Sequence, residues 1–394
     1  MKANNQNLKI HIFDVGHGDS IIIEFPNQKT FGIIDCCYCE KTNCKEDSNL
    51  HNNNKEPKAL TFLRKKISID KNFEIEFVCL THPHYDHYKG YSVLLNWLKI
   101  NNIPIKQFWD FGFSYRKANA LNKLAKYTSS NEVKEKANEL NNFYLLRDEM
   151  EQKYQTEYKM ITGPQKLFWS NYNVEIEVIA PCDSHMEKYA NFLACKSESE
   201  KREFIKKNKF KWAADDNIAS SAFLINFGNL KLLLGGDVIN EGWYRIINNK
   251  NLLINCDIIK VSHHGSINGS FPFLNIEEID KEEGNEDIPL WVYLYSKKKN
   301  IQALISGGYR KHLPHKKTMD SLEKMNIPWY CTGYVDESKQ NYYIPSTING
   351  SYKFYFENMK LPEVKDNYRS GHGDITVNCF ENGKIYIETE YVSV

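Results

Sequence analysis

The segment His82-Pro83-His84-Tyr85-Asp86-His87 puts three imidazoles and a carboxylate into one short loop. Neutral imidazole and carboxylate are the ligands that zinc, manganese and iron favour. Two further segments, His263-His264 and His312-Leu313-Pro314-His315, mean that seven of the 12 histidines fall in three short stretches. If strand alternation continues into the first stretch, His82 and His84 point the same way, as two ligands of one metal would. Asp86 and His87 are then left to turn towards a second. A lone carboxylate, Asp237, closes the run Leu234-Gly235-Gly236-Asp237, and its two oxygens can bridge two cations. Two cations about 3.5 to 4 Å apart lower the pKa of a shared water, generate hydroxide near neutrality and clamp the oxygens of the group under attack. No side-chain nucleophile is then required. A solvated polar loop would explain one such histidine, but not three with an aspartate directly after an apolar strand.

Each motif is delivered by an apolar, β-branched run. Phe77-Val78-Cys79-Leu80 precedes the first, Leu230 to Leu234 precedes Asp237, Ile258 to Val261 precedes His263-His264, and Ala303-Leu304-Ile305 precedes the last. Upstream, His11-Ile12-Phe13, the turn Asp14-Val15-Gly16-His17-Gly18-Asp19, Ser20 to Phe25 and Thr30 to Ile34 open a sheet. Residues 41 to 58 read as a polar surface loop, before a short helix over Ala59 to Lys66. Val133, Ala137, Leu140 and Tyr144 recur at helical spacing, so residues 110–165 are expected to form a mainly helical insertion. It is expected to cover the site edge or to offer a partner surface. Gly228-Asn229 signals one hairpin and Glu381-Asn382-Gly383 another. The second spans 372–394 and is expected to return to the main body. The whole chain, 1–394, reads as a single domain.

Composition excludes several classes. With 394 residues, 41% hydrophobic and 26% charged, the chain is neither disordered nor collagenous nor a coiled coil. Lys plus Arg total 51 against 50 for Asp plus Glu, so no global positive field holds it to nucleic acid or an anionic membrane. Met1 to Lys9 lacks the apolar stretch of a secretory signal, and no run approaches a bilayer span. A cytoplasmic protein with reduced thiols and no membrane contact is expected. Cys36-Cys37-Tyr38-Cys39, with Cys44 beyond, lacks the paired C-x-x-C spacing of a zinc hook and reads as ordinary thiols.

Taken in order, Phe13-Asp14-Val15-Gly16-His17-Gly18-Asp19, Ile34-Asp35, Thr81 to His87, Leu234-Gly235-Gly236-Asp237 and Ile259-Lys260-Val261-Ser262-His263-His264-Gly265-Ser266 carry a resemblance. The sequence resembles the metallo-β-lactamase-fold hydrolases, and most closely the hydrolase domain of bacterial late-competence DNA-uptake proteins and their free-standing relatives. The resemblance implies an α/β fold, an αββα sandwich of two mixed β-sheets flanked by helices, with a metal site at one edge. It implies two divalent ions, zinc or manganese, held by His82, His84, Asp86, His87 and Asp237. His315 is the expected final ligand, because it precedes a helical segment ending near Met325. The family commonly reads Gly-His-Pro there, which leaves His312 a rival. His185 stands where lactamases have a further imidazole, whereas the competence-type relatives have an Asn-rich stretch, matched here by Asp215-Asp216-Asn217. Loss of that imidazole would favour a harder ion. Where the family usually has Gln this chain has His17, and Asp14 and Asp19 are expected to brace the site rather than bind metal.

In that setting Asp86 orients the hydroxide or takes its proton, and His263 or His264 protonates the leaving alkoxide. The implied function is a nuclease or phosphodiesterase, with nucleic acid as substrate. Local cations at Lys297-Lys298-Lys299, Tyr309-Arg310-Lys311 and Lys316-Lys317 could track its backbone. A setting for such an enzyme is the effector of a defence system. The rivals are a hydrolase of small esters, lactones or lactams in the same fold, and a non-catalytic metal-stabilised binding module.

Overall fold

Alternation along the strands sorts apolar side chains into layers. The computed structural model describes residues 7–38, 56–69, 72–112, 130–195, 197, 199–200, 203–204, 216–248, 256–270, 301–307, 313–333, 335–336, 368–369 and 373–390. The first sheet is begun by β1 (Leu8–Ile12), β2 (Ser20–Glu24), β3 (Thr30–Cys36), β4 (Glu74–Cys79), β5 (Ile105–Asp110) and β6 (Glu157–Met160). The second contains β7 (Gln165–Trp169), β8 (Val174–Ala180), β9 (Ala222–Phe227), β10 (Leu230–Leu234), β11 (Ile258–Lys260), β12 (Gln302–Ile305) and β13 (Trp329–Cys331). A small ribbon pairs β14 (Val335–Asp336) with β15 (Tyr368–Arg369). The hairpin of β16 (Ile375–Cys379) and β17 (Ile385–Thr389) returns to the first sheet, β16 lying antiparallel to β1.

Both sheets are mixed. The 8-stranded one runs β17-β16-β1-β2-β3-β4-β5-β6 and the 7-stranded one β13-β12-β11-β10-β9-β8-β7. Pairing is parallel from β3 to β6 and from β10 to β13, and antiparallel elsewhere in both sheets. Parallel pairing aligns the C-terminal ends of β10, β11 and β12, so the loops leaving them share one edge.

The helices are α1 (Lys58–Ile69), α2 (Tyr85–Tyr88), α3 (Tyr91–Ile100), α4 (Asn131–Tyr154), α5 (Asp183–Ala194), α6 (Asn240–Asn248), α7 (Ile267–Ser270) and α8 (Lys316–Lys324). Three apolar layers give the order helix, sheet, sheet, helix. Ile21 and Ile23 of β2 pack between the sheets with Phe223, Ile225 and Leu232, whereas Ile22 turns outward beneath α1, α3 and α4. On the far side, Leu224 and Leu233 face Trp243 of α6 and Leu322 of α8. Each fully buried large side chain of this kind contributes about 1.5–3 kcal/mol.

The helical spacing read in the sequence corresponds to α4, which starts where the Ser130 hydroxyl caps the Val133 N–H. Ala137, Leu140 and Tyr144 are buried in the outer layer of the first sheet together with Phe143 and Met150. Residues 113–129, inside the expected insertion, lie outside the described residues. Among the described residues no helix is long and apolar enough to cross a membrane.

Candidate metal centre

Strand β4 ends just before the histidine loop, and Asp35 on β3 holds the start of that loop and one of its rings. The Asp35 carboxylate accepts from the Thr81 N–H (2.8 Å), the Thr81 hydroxyl (2.6 Å) and His87 Nδ1 (2.6 Å). Having given its proton to Asp35, the Thr81 hydroxyl can only accept from His82 Nδ1, 3.1 Å away. The protons of both rings therefore sit on Nδ1 and the Nε2 atoms face the site, the arrangement by which an orienting carboxylate prepares a histidine ligand. His84 precedes α2, whose single turn carries Asp86 and His87.

The second sheet supplies the opposite wall. Gly236 has φ +51°, and a Cβ there would run into the Ser221 carbonyl, so only glycine lets the chain turn directly into Asp237. The Asp237 N–H donates to the Ser220 hydroxyl (2.8 Å), and the Ser221 N–H to the Thr81 carbonyl (3.2 Å), which ties the two loops together. After β11, His263 and His264 both adopt left-handed backbone, φ 50° and 53°. Each such residue costs about 1–3 kcal/mol, strain of the kind found at functional sites. It turns His264 inward, where its Nδ1 donates to the Ser306 carbonyl (2.8 Å) and its Nε2 faces the carboxylates.

Around Asp237 Oδ2 stand His87 Nε2 at 3.4 Å, His264 Nε2 at 3.5 Å, His82 Nε2 at 3.7 Å and His263 Nε2 at 3.9 Å. His264 Nε2 also lies 3.6 Å from Asp86 Oδ2. These gaps exceed hydrogen-bond lengths, and His87 Nε2, His264 Nε2 and Asp237 Oδ1 are buried without a hydrogen-bond partner among the described residues. The two shortest gaps, 3.4 and 3.5 Å, match a tetrahedral coordination edge, about 3.4 Å for ligands about 2.1 Å from a common ion, and the other gaps are a few tenths of an ångström longer. His82, His87 and Asp237 form one group whose ligand atoms lie within 4.8 Å of one another, and His17, Asp86 and His264 form another. The residues present fit divalent cations.

Electrostatics point the same way. Burial raises the Asp237 carboxyl, but the charges of His264, His87 and His263 outweigh it and hold it well below the ordinary carboxylate range. Burial likewise opposes ionisation of Asp86, which the hydrogen bond from His17 and the nearby imidazoles of His264 and His87 reverse. His87 and His264 are raised against burial, each chiefly by Asp237. The carboxylates are thus held ionised and the His87 and His264 rings protonated by one another, a charge balance in which a bound cation would take the place of the ring protons.

Of the residues expected at the site, His82, His87, Asp86 and Asp237 converge. His87 groups with His82 rather than with Asp86, because its tether to Asp35 tips the ring towards Asp237. His84 adjoins them, its Nδ1 2.9 Å from His82 Nε2 and its Nε2 3.7 Å from Asp216 Oδ2. Asp216 is held by the Tyr189 hydroxyl (2.6 Å), and Asn217 Nδ2 lies 3.3 Å from His263 Nε2. His185 is drawn elsewhere, hydrogen-bonded to Cys182 and 3.6 Å from Glu241. His315, the expected final ligand, is in none of the three groups of such donors among the described residues, the third being Asp19, Asp35 and His87. The His315 Nδ1 accepts from the Lys317 N–H (3.2 Å), capping α8, and His264 faces the carboxylates instead. His312, Lys297-Lys298-Lys299 and Tyr309-Arg310-Lys311 lie outside the described residues. His17, treated in the sequence as part of a tight turn, reaches the centre: its Nε2 is 3.0 Å from Asp86 Oδ2. A histidine between two glycines at a strand end was the available signal. A cavity of about 380 Å³ opens onto the cluster, with His17, His84, Asp86, Asp216, Asp237, His263 and Lys136 among its walls.

Two mixed sheets face to face, helices outside, and histidine and aspartate loops meeting at the edge of both decide the architecture. The chain has the metallo-β-lactamase fold. No protein-family model matches the sequence, and neither does any curated protein. Among solved structures, the metallo-β-lactamase fold protein YhfI from Bacillus subtilis is similar at 9% identity, with 82% of this chain and 96% of that one covered and a TM-score of 0.38. Zinc-bound PqqB from Methylobacterium extorquens is similar at 9% identity, over 64% of this chain and 69% of that one, with a TM-score of 0.30. A protein of unknown function from Enterococcus faecalis aligns at 13% identity over 68% of this chain, with a TM-score of 0.33; this chain spans 52% of that protein's length.

Proposed function

We propose that the protein is a metal-dependent hydrolase that cleaves phosphodiesters, with nucleic acid as its substrate class. The observation that carries this reading is the set of ligand atoms around Asp237, spaced as coordination edges and with the His87 and His264 rings tethered so that Nε2 faces inward. Two divalent cations would be held there, one by His82, His87 and Asp237 with His84 and Asp216 beside it, the other by Asp86, His264 and Asp237. Bound cations supply an acidified water and polarise the oxygens of the group under attack.

The chain's own groups do the rest. Asp86, ionised and fixed by His17, orients the attacking water and accepts its proton. His264 is fully buried, whereas the His263 side chain is 20% exposed and lines the cavity. His263 is therefore the group placed to protonate the leaving oxygen. Lys136 of α4 lines the same cavity, its ammonium 2.6 Å from Glu132, and would have to leave that partner to meet a phosphate. A carboxylate, Asp216, stands beside His84 where a lactamase-type centre would use a further imidazole, and His185 is committed to Cys182 and Glu241. That exchange supports a harder ion such as manganese and a phosphoryl rather than an acyl substrate.

Purified protein incubated with manganese and single-stranded and duplex oligonucleotides, alongside a lactone and a chromogenic cephalosporin, tests the reading. Cleavage of the oligonucleotides alone is expected. Turnover of only the lactone or lactam would replace the phosphodiester reading. No turnover and less than one ion per chain would leave a binding module.

A further inference from the structure

We propose that His17 is itself a ligand of the second cation, joining Asp86 and His264, an inference that rests on the two-cation reading above. Three elements distant in sequence deliver these donors: the turn between β1 and β2, the single turn of α2, and the left-handed segment after β11. His17 Nε2 lies 3.0 Å from Asp86 Oδ2, His264 Nε2 lies 3.6 Å from that same oxygen, and the His17 and His264 rings are 4.5 Å apart. The ligand atoms of all three lie within 4.8 Å of one another. A pair would suffice if His17 only oriented Asp86; three donors around one point are what an ion requires.

The turn is also held in place for this purpose. The Asp19 N–H donates to the Asp86 carbonyl (3.2 Å), and Gly18, at φ +129°, sits so close to that carbonyl that a Cβ would overlap it. The Cys37 N–H donates to the Asp19 carbonyl (3.1 Å), fixing the other end of the turn to β3. The backbone beside His17 is thus anchored to the very residue whose carboxylate the imidazole meets. With the His17 side chain 14% exposed, the ring forms the outer wall of the second ion's pocket. The second cation would gain two imidazoles and two carboxylates, a donor set that suits zinc as well as manganese.

The test uses the full chain loaded with isotope-enriched cadmium and labelled in its histidine rings. Scalar coupling between cadmium and ring nuclei, read by NMR, reports direct ligation without any turnover. Coupling at His17 together with His264 is expected, and His17→Gln should lose the first while couplings at His82 and His87 persist. Coupling at His264 with none at His17 would overturn the proposal, leaving His17 as a hydrogen-bond partner of Asp86 and the two-cation reading intact. Coupling at no histidine would remove both.

Discussion

Lys260 Nζ lies 2.7 Å from the Asp19 carboxylate, and both side chains are buried where the two sheets meet beneath the metal centre. Lys260 ends β11 in the second sheet, whereas Asp19 precedes β2 in the first. Burial raises the Asp19 carboxyl, but Lys260, followed by His264 and His87, outweighs it and keeps the group ionised. Ser306 donates a further hydrogen bond to Asp19. Asp19 is thus held between the two sheets by Lys260 and Ser306.

Removing one partner of a buried pair leaves the other charge uncompensated, at a cost of about 3–5 kcal/mol. Lys260→Met should lower unfolding free energy by that amount in urea titrations. The double variant Lys260→Met with Asp19→Asn should recover much of the loss. Equal stabilities for the two variants would mean that the pair does not join the sheets.

Asp86→Asn keeps the size and the contact with His17 but removes the proton acceptor. Hydrolysis of an oligonucleotide should fall by about 100- to 10,000-fold, the range of general-base contributions, with the thermal midpoint unchanged. Undiminished turnover in stopped assays would remove Asp86 from the water chemistry.

What could be read in advance came from local pattern. Apolar runs ending in His82 to His87 and in Asp237 declare both the strands and the donors at their ends, and the spacing of Ala137, Leu140 and Tyr144 declares α4. Placement of His264 was not legible, because it depends on two successive left-handed residues that no propensity favours. His315 looked like a ligand from its position before a helix, yet that position is also an N-cap, and its Nδ1 serves the Lys317 N–H. His17 required knowing that the β1–β2 turn packs against α2, a contact between segments far apart in the chain. His185 required Glu241 and Cys182 to be seen around it.

That last contact has a measurable consequence. Burial raises the Cys182 thiol, but the hydrogen bond and charge of His185, helped by the Ser184 hydroxyl, outweigh it and bring it down to about 6. Iodoacetamide labelling with mass spectrometry as readout should show Cys182 alkylated fastest of the described cysteines at pH 7, with a rate that halves near pH 6. His185→Ala should move that midpoint towards the ordinary thiol range, about 8.5. A midpoint unaffected by the substitution would contradict the pairing.

Asp14 contributes to the pH dependence of the fold. Burial pushes its carboxyl up to about 7, against the opposing pull of Lys58 and the Gly16 N–H. A carboxyl whose folded pKa lies above its unfolded value, about 3.9, favours the native state in its neutral form. Its stabilising contribution is complete below about pH 4 and is lost as pH rises to about 7. Unfolding free energy measured across this window should decline less steeply in Asp14→Asn, whose carbonyl still accepts from Gly16. An identical slope in the variant would assign the decline to other groups.

Crystals grown with manganese and recorded at its absorption edge test the metal centre most directly. Two anomalous peaks are expected, one bounded by His82, His87 and Asp237 and the other by Asp86, His264 and Asp237. An absence of ordered ions, with those imidazoles hydrogen-bonded to other groups, would contradict it.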